Sequence, residues 1–288
     1  MNVKLIALDI DGTLVDNYRN PVSLANCRAI QRAREAGVEV TLVTGRRFST
    51  ASPVALQLAL SLPIIVHNGA IIRSPLDHST FASSLLPQEL SALVIEIMRD
   101  HHSEPLIYDA HDGVGNFITY QAFDPGNPWI REYFDQNRQF IRPVDDLAMA
   151  CKEGAIRILV AEEEEKVDMI SVSLKETLGE DIQLSKTVGE AYGLCTLSVQ
   201  HPDCTKAKGI MKLIERLGIL PSEILAMGDN FNDLEMLRFA GVGIVMGNAR
   251  DDMKALGYFV TDSCENDGVA RAIEKFLFES VDFSSQSL

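Results

Sequence analysis

Apolar and polar positions follow two rhythms along the chain. Residues 3–8 are a nearly unbroken apolar run that stops at Asp9, the pattern of a parallel strand buried on both faces. From Leu24 the spacing changes. Leu24, Cys27, Ile30 and Ala33 recur at helical intervals and Gly37 closes the segment, so a helix is expected over 24–36. A second apolar strand is expected over 38–43, ending at Thr44-Gly45-Arg46. A third is expected over 64–66, after a helical stretch that runs up to Pro63. The same alternation returns near the C-terminus. Ile210, Leu213, Ile214 and Leu217 mark a helix, 224–227 a strand ending at Gly228-Asp229, and 242–245 and 258–260 two further strands. Val269, Ala270, Ile273, Phe276 and Leu277 mark a closing helix, and 284–288 read as a polar tail. Strands alternating with helices in this way predict an α/β fold with a doubly wound parallel sheet.

The middle of the chain differs. Helical patterns around Leu90, Leu93, Val94, Ile97 and Met98, and around Val167, Ile170, Leu174 and Leu178, alternate with strand-like segments at 117–123 and 156–160. A turn-rich stretch at 124–128 punctuates them. The expectation is an inserted α+β domain over 81–190, with 1–80 and 191–288 forming the core. The chain would leave the sheet after its third strand and return at 194–199. No internal repeat of about 20–50 residues is present.

Composition narrows the function. The 26 basic against 41 acidic residues give a net charge of −15. That balance disfavours nucleic acid as a partner, and it means that a small anionic substrate would need cations supplied locally. No run approaches about 20 apolar residues, so no membrane span is expected. The N-terminus passes straight into a charge-bearing strand, unlike a secretory leader. The five cysteines show no CxxC spacing and no Asn-x-Ser/Thr sequon occurs, so free thiols in the cytoplasm are expected.

Four segments place polar residues just past apolar strands or at a helix start, on the edge where open parallel sheets bind ligands. They are Asp9-Ile10-Asp11-Gly12-Thr13, Thr44-Gly45-Arg46, Lys206 within Thr205-Lys206-Ala207-Lys208-Gly209, and Gly228-Asp229-Asn230-Phe231-Asn232-Asp233. Phosphoryl transfer needs a nucleophile, a counter-charge for the phosphate oxygens and a proton donor for the leaving group. Asp9 is a candidate carboxylate nucleophile. Asp11, two residues on, falls on the same side of an extended segment, so one could attack while the other gives a proton. Like charges would raise each other's pKa and keep that proton available. Asp9 and Asp229 converging on one point would repel without a cation between them, and hard oxygen ligands suit Mg²⁺.

Together these segments resemble the haloacid dehalogenase (HAD) superfamily of phosphatases, and more closely its Cof-type sugar-phosphatase branch. The resemblance implies a Rossmann-like core with a C2-type cap inserted after the second motif. It implies Mg²⁺ held by Asp9, the backbone carbonyl of Asp11, and Asp229. Asn232 and Asp233 would orient the phosphate, the lysine or the metal shell, with Asp233 counted among the metal residues. Lys206 would neutralise phosphate and nucleophile. Lys208 stays open as an alternative, because glycine often follows the family's lysine and Ala207 stands there. Thr44 would donate a hydrogen bond to the phosphate. Gly45, Arg46 and Asn68-Gly69 match positions that contact substrate or phosphate. The implied activity is Mg²⁺-dependent hydrolysis of a small phosphorylated metabolite, with phosphosugars the leading class, through an aspartyl-phosphate. A cap of this kind would exclude water and choose the leaving group. Trp129, Tyr108, His111 and Asp112 are its candidate residues.

Rival readings fit less well. A phosphotransferase or phosphomutase would use the same nucleophile but hand the phosphoryl group to a sugar hydroxyl. A non-catalytic regulator would have little use for both Asp9 and Asp11. The ion-pump branch carries Thr where Asp11 stands. A calcium loop fails at Thr13 and Leu14, and Gly241-Val242-Gly243 with Gly247 lacks the dinucleotide spacing. His101-His102 reads as a helix end, and residues 162–165 as a solvated helix start.

Overall fold

The computed structural model describes residues 2–16, 21–110, 118–121, 127–188 and 193–279. In chain order the first elements are β1 (Leu5–Leu8), α1 (Leu24–Glu35), β2 (Glu39–Leu42), α2 (Phe48–Gln57), β3 (Ile64–Val66), β4 (Ile71–Arg73) and β5 (Thr80–Ser83). Then come α3 (Gln88–Asp100), β6 (Leu106–Asp109), β7 (Ile118–Tyr120), α4 (Pro128–Asn137), β8 (Ile141–Pro143), α5 (Leu147–Ala150), β9 (Ala155–Glu163), α6 (Glu164–Leu178), β10 (Gln183–Val188) and β11 (Leu194–Gln200). The last are α7 (Lys206–Leu217), β12 (Ile224–Gly228), α8 (Leu234–Phe239), β13 (Val242–Val245), α9 (Asp251–Lys254), β14 (Phe259–Val260) and α10 (Gly268–Ile273). The chain divides into two compact units, Met1–Ala82 with Thr205–Leu288, and Ser83–Cys204.

The first unit is built on a parallel sheet in the order β14-β13-β12-β1-β2. Its central strands carry no polar side chain, and every residue of β1 and β12 is buried. Strands covered on both faces must be apolar throughout, which is why they were legible as unbroken runs. Leu5, Ala7, Ile224 and Ala226 pack with Ile210, Leu213 and Ile214 of α7 and with Met236 and Leu237 of α8. Strand alternation turns Ile6 and Leu8 to the opposite face, and α1 packs against α10. Each fully buried Leu or Ile contributes about 1.5–3 kcal/mol. The doubly wound α/β expectation therefore holds here. β3 extends the sheet edge through a single parallel bridge from Val43 to Ile65, then folds back as the antiparallel β3-β4-β5 sheet.

The second unit holds a six-stranded sheet in the order β10-β11-β9-β6-β7-β8. Side chains of α3 and α6, such as Val94, Met98, Val167, Ile170 and Leu174, share one apolar cluster with Ile107, Ile158, Val160, Leu197 and Val199 of the sheet. This matches the expected α+β character. One strand was assigned to the wrong sheet. The segment at 194–199, expected to open the returning core, lies in β11 and pairs antiparallel with both β9 and β10. Of the strand expected over 117–123, Ile118–Tyr120 form β7 and Gln121 is already a bend. The rest of it lies outside the described residues, as do 124–126, 284–288, His111 and Asp112.

Candidate active site

Three strand ends lie level in the first unit. Leu8 pairs with Met227 on one side and with Leu42 on the other, and the Asp9 N–H donates to Met227 O at 3.1 Å. Asp9, Thr44 and Asp229 therefore leave the same edge of the sheet within two residues of their strands. Past Asp9 the chain is not extended. It curls around one carbonyl, Ile10 O, which accepts from the N–H groups of Thr13, Leu14 and Val15. The strand alternation expected to set Asp9 and Asp11 side by side does not apply. The two carboxylates are held by different cations.

Lys206 is the first residue of α7, set there by Thr205, whose hydroxyl accepts from the Lys208 N–H at 3.2 Å. It is 1% exposed. A buried ammonium loses its hydration, and at a helix N-terminus it also meets the positive end of the dipole. Two carboxylates offset both costs. The ammonium donates to Asp9 Oδ1 at 2.7 Å and to Asp233 Oδ1 at 2.5 Å. Burial alone would pull the Lys206 pKa down, but the charges of Asp233 and Asp9 outweigh it and hold the ammonium above its usual value. Of the two lysines left open by the sequence, Lys206 has its ammonium on these carboxylates, whereas Lys208 is half-buried.

Asp233 is fully buried, and its second oxygen accepts from the N–H groups of Asp229 and Asn230, each at 3.0 Å. It ties the lysine to the loop after β12. Burial raises Asp229 to about 7, helped by the like charge of Asp233 and opposed by Lys206. Burial likewise raises Asp9 to about 8, with Lys206 lowering it and Asp233 raising it. The like-charge contribution expected from the neighbouring carboxyl thus comes to Asp9 from Asp233.

Among the described residues, Asp9, Asp229 and Asp233 each offer an oxygen within 4.8 Å of the others. Asp229 Oδ1 is buried and has no hydrogen-bond partner among the described residues. An orphaned carboxylate oxygen inside an all-oxygen cluster fits a hard divalent cation. Gly12 leaves room for the Asp229 carboxylate. A Cβ there would lie 2.1 Å from Asp229 Oδ2, and the backbone φ of +74° is one that glycine adopts freely.

Thr44 is buried, and its hydroxyl accepts from the Arg46 N–H at 3.1 Å. The guanidinium of Arg46 grips both oxygens of Asp11, from Nε to Oδ2 at 2.9 Å and from Nη2 to Oδ1 at 2.5 Å. The turn at Thr44-Gly45-Arg46 is clamped by the next loop, where the N–H of His67 donates to Arg46 O and that of Asn68 to Thr44 O. His67, Asn68 and Gly69 are all left-handed, with φ of 51°, 56° and 105°. At Gly69 a Cβ would fall 2.2 Å from Thr205 O, so glycine lets the start of α7 approach. The Asn68 side chain lies against Gly45 and accepts from the exposed Asn232 at 3.4 Å. All the sequence candidates of the core thus gather at one edge of one unit. Asn248 was not foreseen. Its amide donates to Gly12 O and its carbonyl accepts from the Cys264 N–H, both at 2.8 Å, pinning the loop that carries Asp11. The signal was its place just after β13, at the same strand edge.

A family model described as haloacid dehalogenase-like hydrolase matches residues 6–273. The chain is 30% identical over 274 residues to the 5-amino-6-(5-phospho-D-ribitylamino)uracil phosphatase YitU of Bacillus subtilis, covering 94% of this chain and 97% of that one. It is 28% identical to the pyridoxal phosphate phosphatase YbhA of Escherichia coli, covering 96% of this chain and all of that one. A crystal structure of a haloacid dehalogenase-like hydrolase from Bacteroides thetaiotaomicron superposes with a TM-score of 0.76 at 28% identity, covering 95% of this chain and 99% of that one. With its carboxylates and lysine gathered at the sheet edge, the chain belongs to the haloacid dehalogenase-like hydrolase family and is a phosphatase.

Proposed function

We propose that this phosphatase hydrolyses small phosphomonoesters with the help of Mg²⁺ and through a phosphorylated Asp9. The observation that carries the reading is the Lys206 ammonium set between Asp9 and Asp233, with a buried oxygen of Asp229 left without a partner beside them. Asp9 attacks phosphorus, and the bond to the leaving oxygen breaks as Asp11 gives that oxygen a proton. Asp11 then takes a proton from water, which attacks the aspartyl-phosphate and releases inorganic phosphate. Lys206 and Thr44 hold the equatorial oxygens. Mg²⁺, when bound at Asp9 and Asp229, supplies positive charge against the phosphate and the acidic cluster. Asp233 fits a supporting place, since the lysine and two backbone N–H groups already engage its oxygens.

The relatives named above act on a ribitylamino-uracil phosphate and on pyridoxal phosphate, which supports a phosphorylated small metabolite as substrate. The unit Ser83–Cys204 interrupts the first in sequence, which supports its reading as an inserted cap that selects the leaving group. Release of inorganic phosphate from a panel of sugar, nucleotide and cofactor phosphates, with Mg²⁺ and with EDTA, tests the proposal. Asp9→Asn is expected to abolish turnover while leaving the fold and its thermal unfolding intact. Full activity in that variant refutes the nucleophile assignment.

A further inference from the structure

The geometry points to Arg46 as a positioning residue for Asp11 and not as a ligand of the phosphate. This rests on the proposed proton transfer by Asp11. Asp11 sits beyond the end of β1, where the chain curls around Ile10 O and makes only an isolated bridge to Val15, so the sheet itself does not fix its side chain. Left alone, a carboxylate there would spread over about three χ1 wells. Proton transfer to a leaving oxygen needs an approach of about 2.6–3.2 Å, which only part of that spread supplies.

Arg46 removes the freedom. Its planar fork matches both carboxylate oxygens, at 2.9 and 2.5 Å, the paired geometry that lysine cannot reproduce. Arg46 is itself fixed. Its side chain is 4% exposed, Nη1 donates to Thr50 O at 3.4 Å, and its backbone is held by Thr44 and His67. Three of its five N–H donors are engaged in these contacts, two on Asp11 and one on Thr50 O, which fixes the guanidinium on the carboxylate. The contact from Nε to Oδ2 survives when Oδ1 carries a proton, so the hold is compatible with both forms of Asp11. In the first half-reaction a bond forms from Asp9 to phosphorus, the bond from phosphorus to the leaving oxygen breaks, and the proton of Asp11 moves to that oxygen. In the second, Asp11 receives a proton from the attacking water.

Leaving-group dependence separates the two roles. kcat/KM covers steps only through the first phosphoryl transfer. An alkyl phosphomonoester needs its leaving oxygen protonated, whereas p-nitrophenolate leaves with little help. Arg46→Met is expected to lower kcat/KM for the alkyl ester by about 100-fold or more, and that for p-nitrophenyl phosphate by about tenfold or less. Arg46→Lys keeps the charge, guards against a folding defect, and is expected to show the same unequal loss. Affinity for inorganic phosphate, read from thermal shift with Mg²⁺ present, should stay within a few-fold. Equal losses on both substrates together with weakened phosphate binding overturn the inference and make Arg46 a phosphate ligand. A wild-type protein that hydrolyses neither ester refutes the underlying function instead, and this inference with it.

Discussion

Asp233 makes a demanding test of the electrostatics, because its one carboxylate serves three donors. Asp233→Ala removes the contact from the Lys206 ammonium at 2.5 Å and the two contacts from the N–H groups of Asp229 and Asn230 at 3.0 Å. Breaking a buried ion pair by deleting one partner costs about 3–5 kcal/mol. Two facts temper the figure. Lys206 keeps Asp9 at 2.7 Å, and Asn230 is exposed, so water replaces its lost acceptor. A net loss of about 3 kcal/mol is the expectation, read as a lower urea midpoint with unchanged slope for the metal-free protein. Asp233→Asn keeps the shape but offers a single acceptor oxygen, which cannot serve the ammonium and the loop together. It should fall between the wild type and the alanine variant. Removing the charge also relieves Asp229, whose carboxyl should fall from about 7 while burial, the larger cause, still holds it above the ordinary 3.8. An alanine variant within about 1 kcal/mol of wild type would show that the lysine is held by Asp9 alone, and the reasoning would fail.

Two further expectations follow from the same cluster. Gly12→Ala puts a Cβ 2.1 Å from Asp229 Oδ2 at a φ of +74°. It should cost about 1–2 kcal/mol in unfolding free energy from the backbone alone and abolish stabilisation by Mg²⁺, and a variant still stabilised as wild type is contradicts the cradle. Asp9 and Asp229 stand at about 8 and 7, above their ordinary 3.8, so the folded protein holds more protons than the unfolded chain across that window. Metal-free stability contributed by these groups therefore declines as pH rises through it, while Mg²⁺ affinity should climb with pH and level off near 8, with protons released on binding. Calorimetry in two buffers of different ionisation enthalpy measures that release, and an affinity constant from pH 5.5 to 8 would exclude it.

What the sequence disclosed depended on how each strand is covered. β1 and β12 are buried on both faces, so their apolar runs identified both the strands and their parallel sheet. β11 reads as a strand in the sequence but belongs to the six-stranded sheet of the second unit, not to the core. Its burial nonetheless alternates between half-buried and buried along Leu194–Gln200, the mark of an antiparallel strand with one face covered. That contrast with β1 was available in Leu194-Cys195-Thr196-Leu197-Ser198-Val199, where Thr and Ser interleave with apolar residues. β5, Thr-Phe-Ala-Ser, is exposed or half-buried throughout, so no apolar run marks it. At the site, residue types and strand ends located the carboxylates and the lysine. The pairing of Arg46 with Asp11 was not legible, because it depends on side-chain reach between residues brought together only by folding.

The balance of charge explains why so acidic a site can take an anion at all. Asp9, Asp11, Asp229 and Asp233 face two cationic side chains, and both are already engaged, Arg46 by Asp11 and Lys206 by Asp9 and Asp233. With all four carboxylates ionised the group would carry two excess negative charges in a buried place, and a phosphate dianion would be turned away. The excess weighs against ionisation, and burial raises Asp9 and Asp229 above the ordinary aspartate value. A divalent cation held by the cluster would offset that excess and keep Asp9 ionised, as the nucleophile's place proposed for it requires. Lys206 then completes the arrangement, since an ammonium has three N–H donors and the two carboxylates occupy two. In the proposed mechanism the third would meet a phosphate oxygen, so the strength of the Asp9–Lys206–Asp233 link would be a condition for binding the substrate as well as for holding the fold.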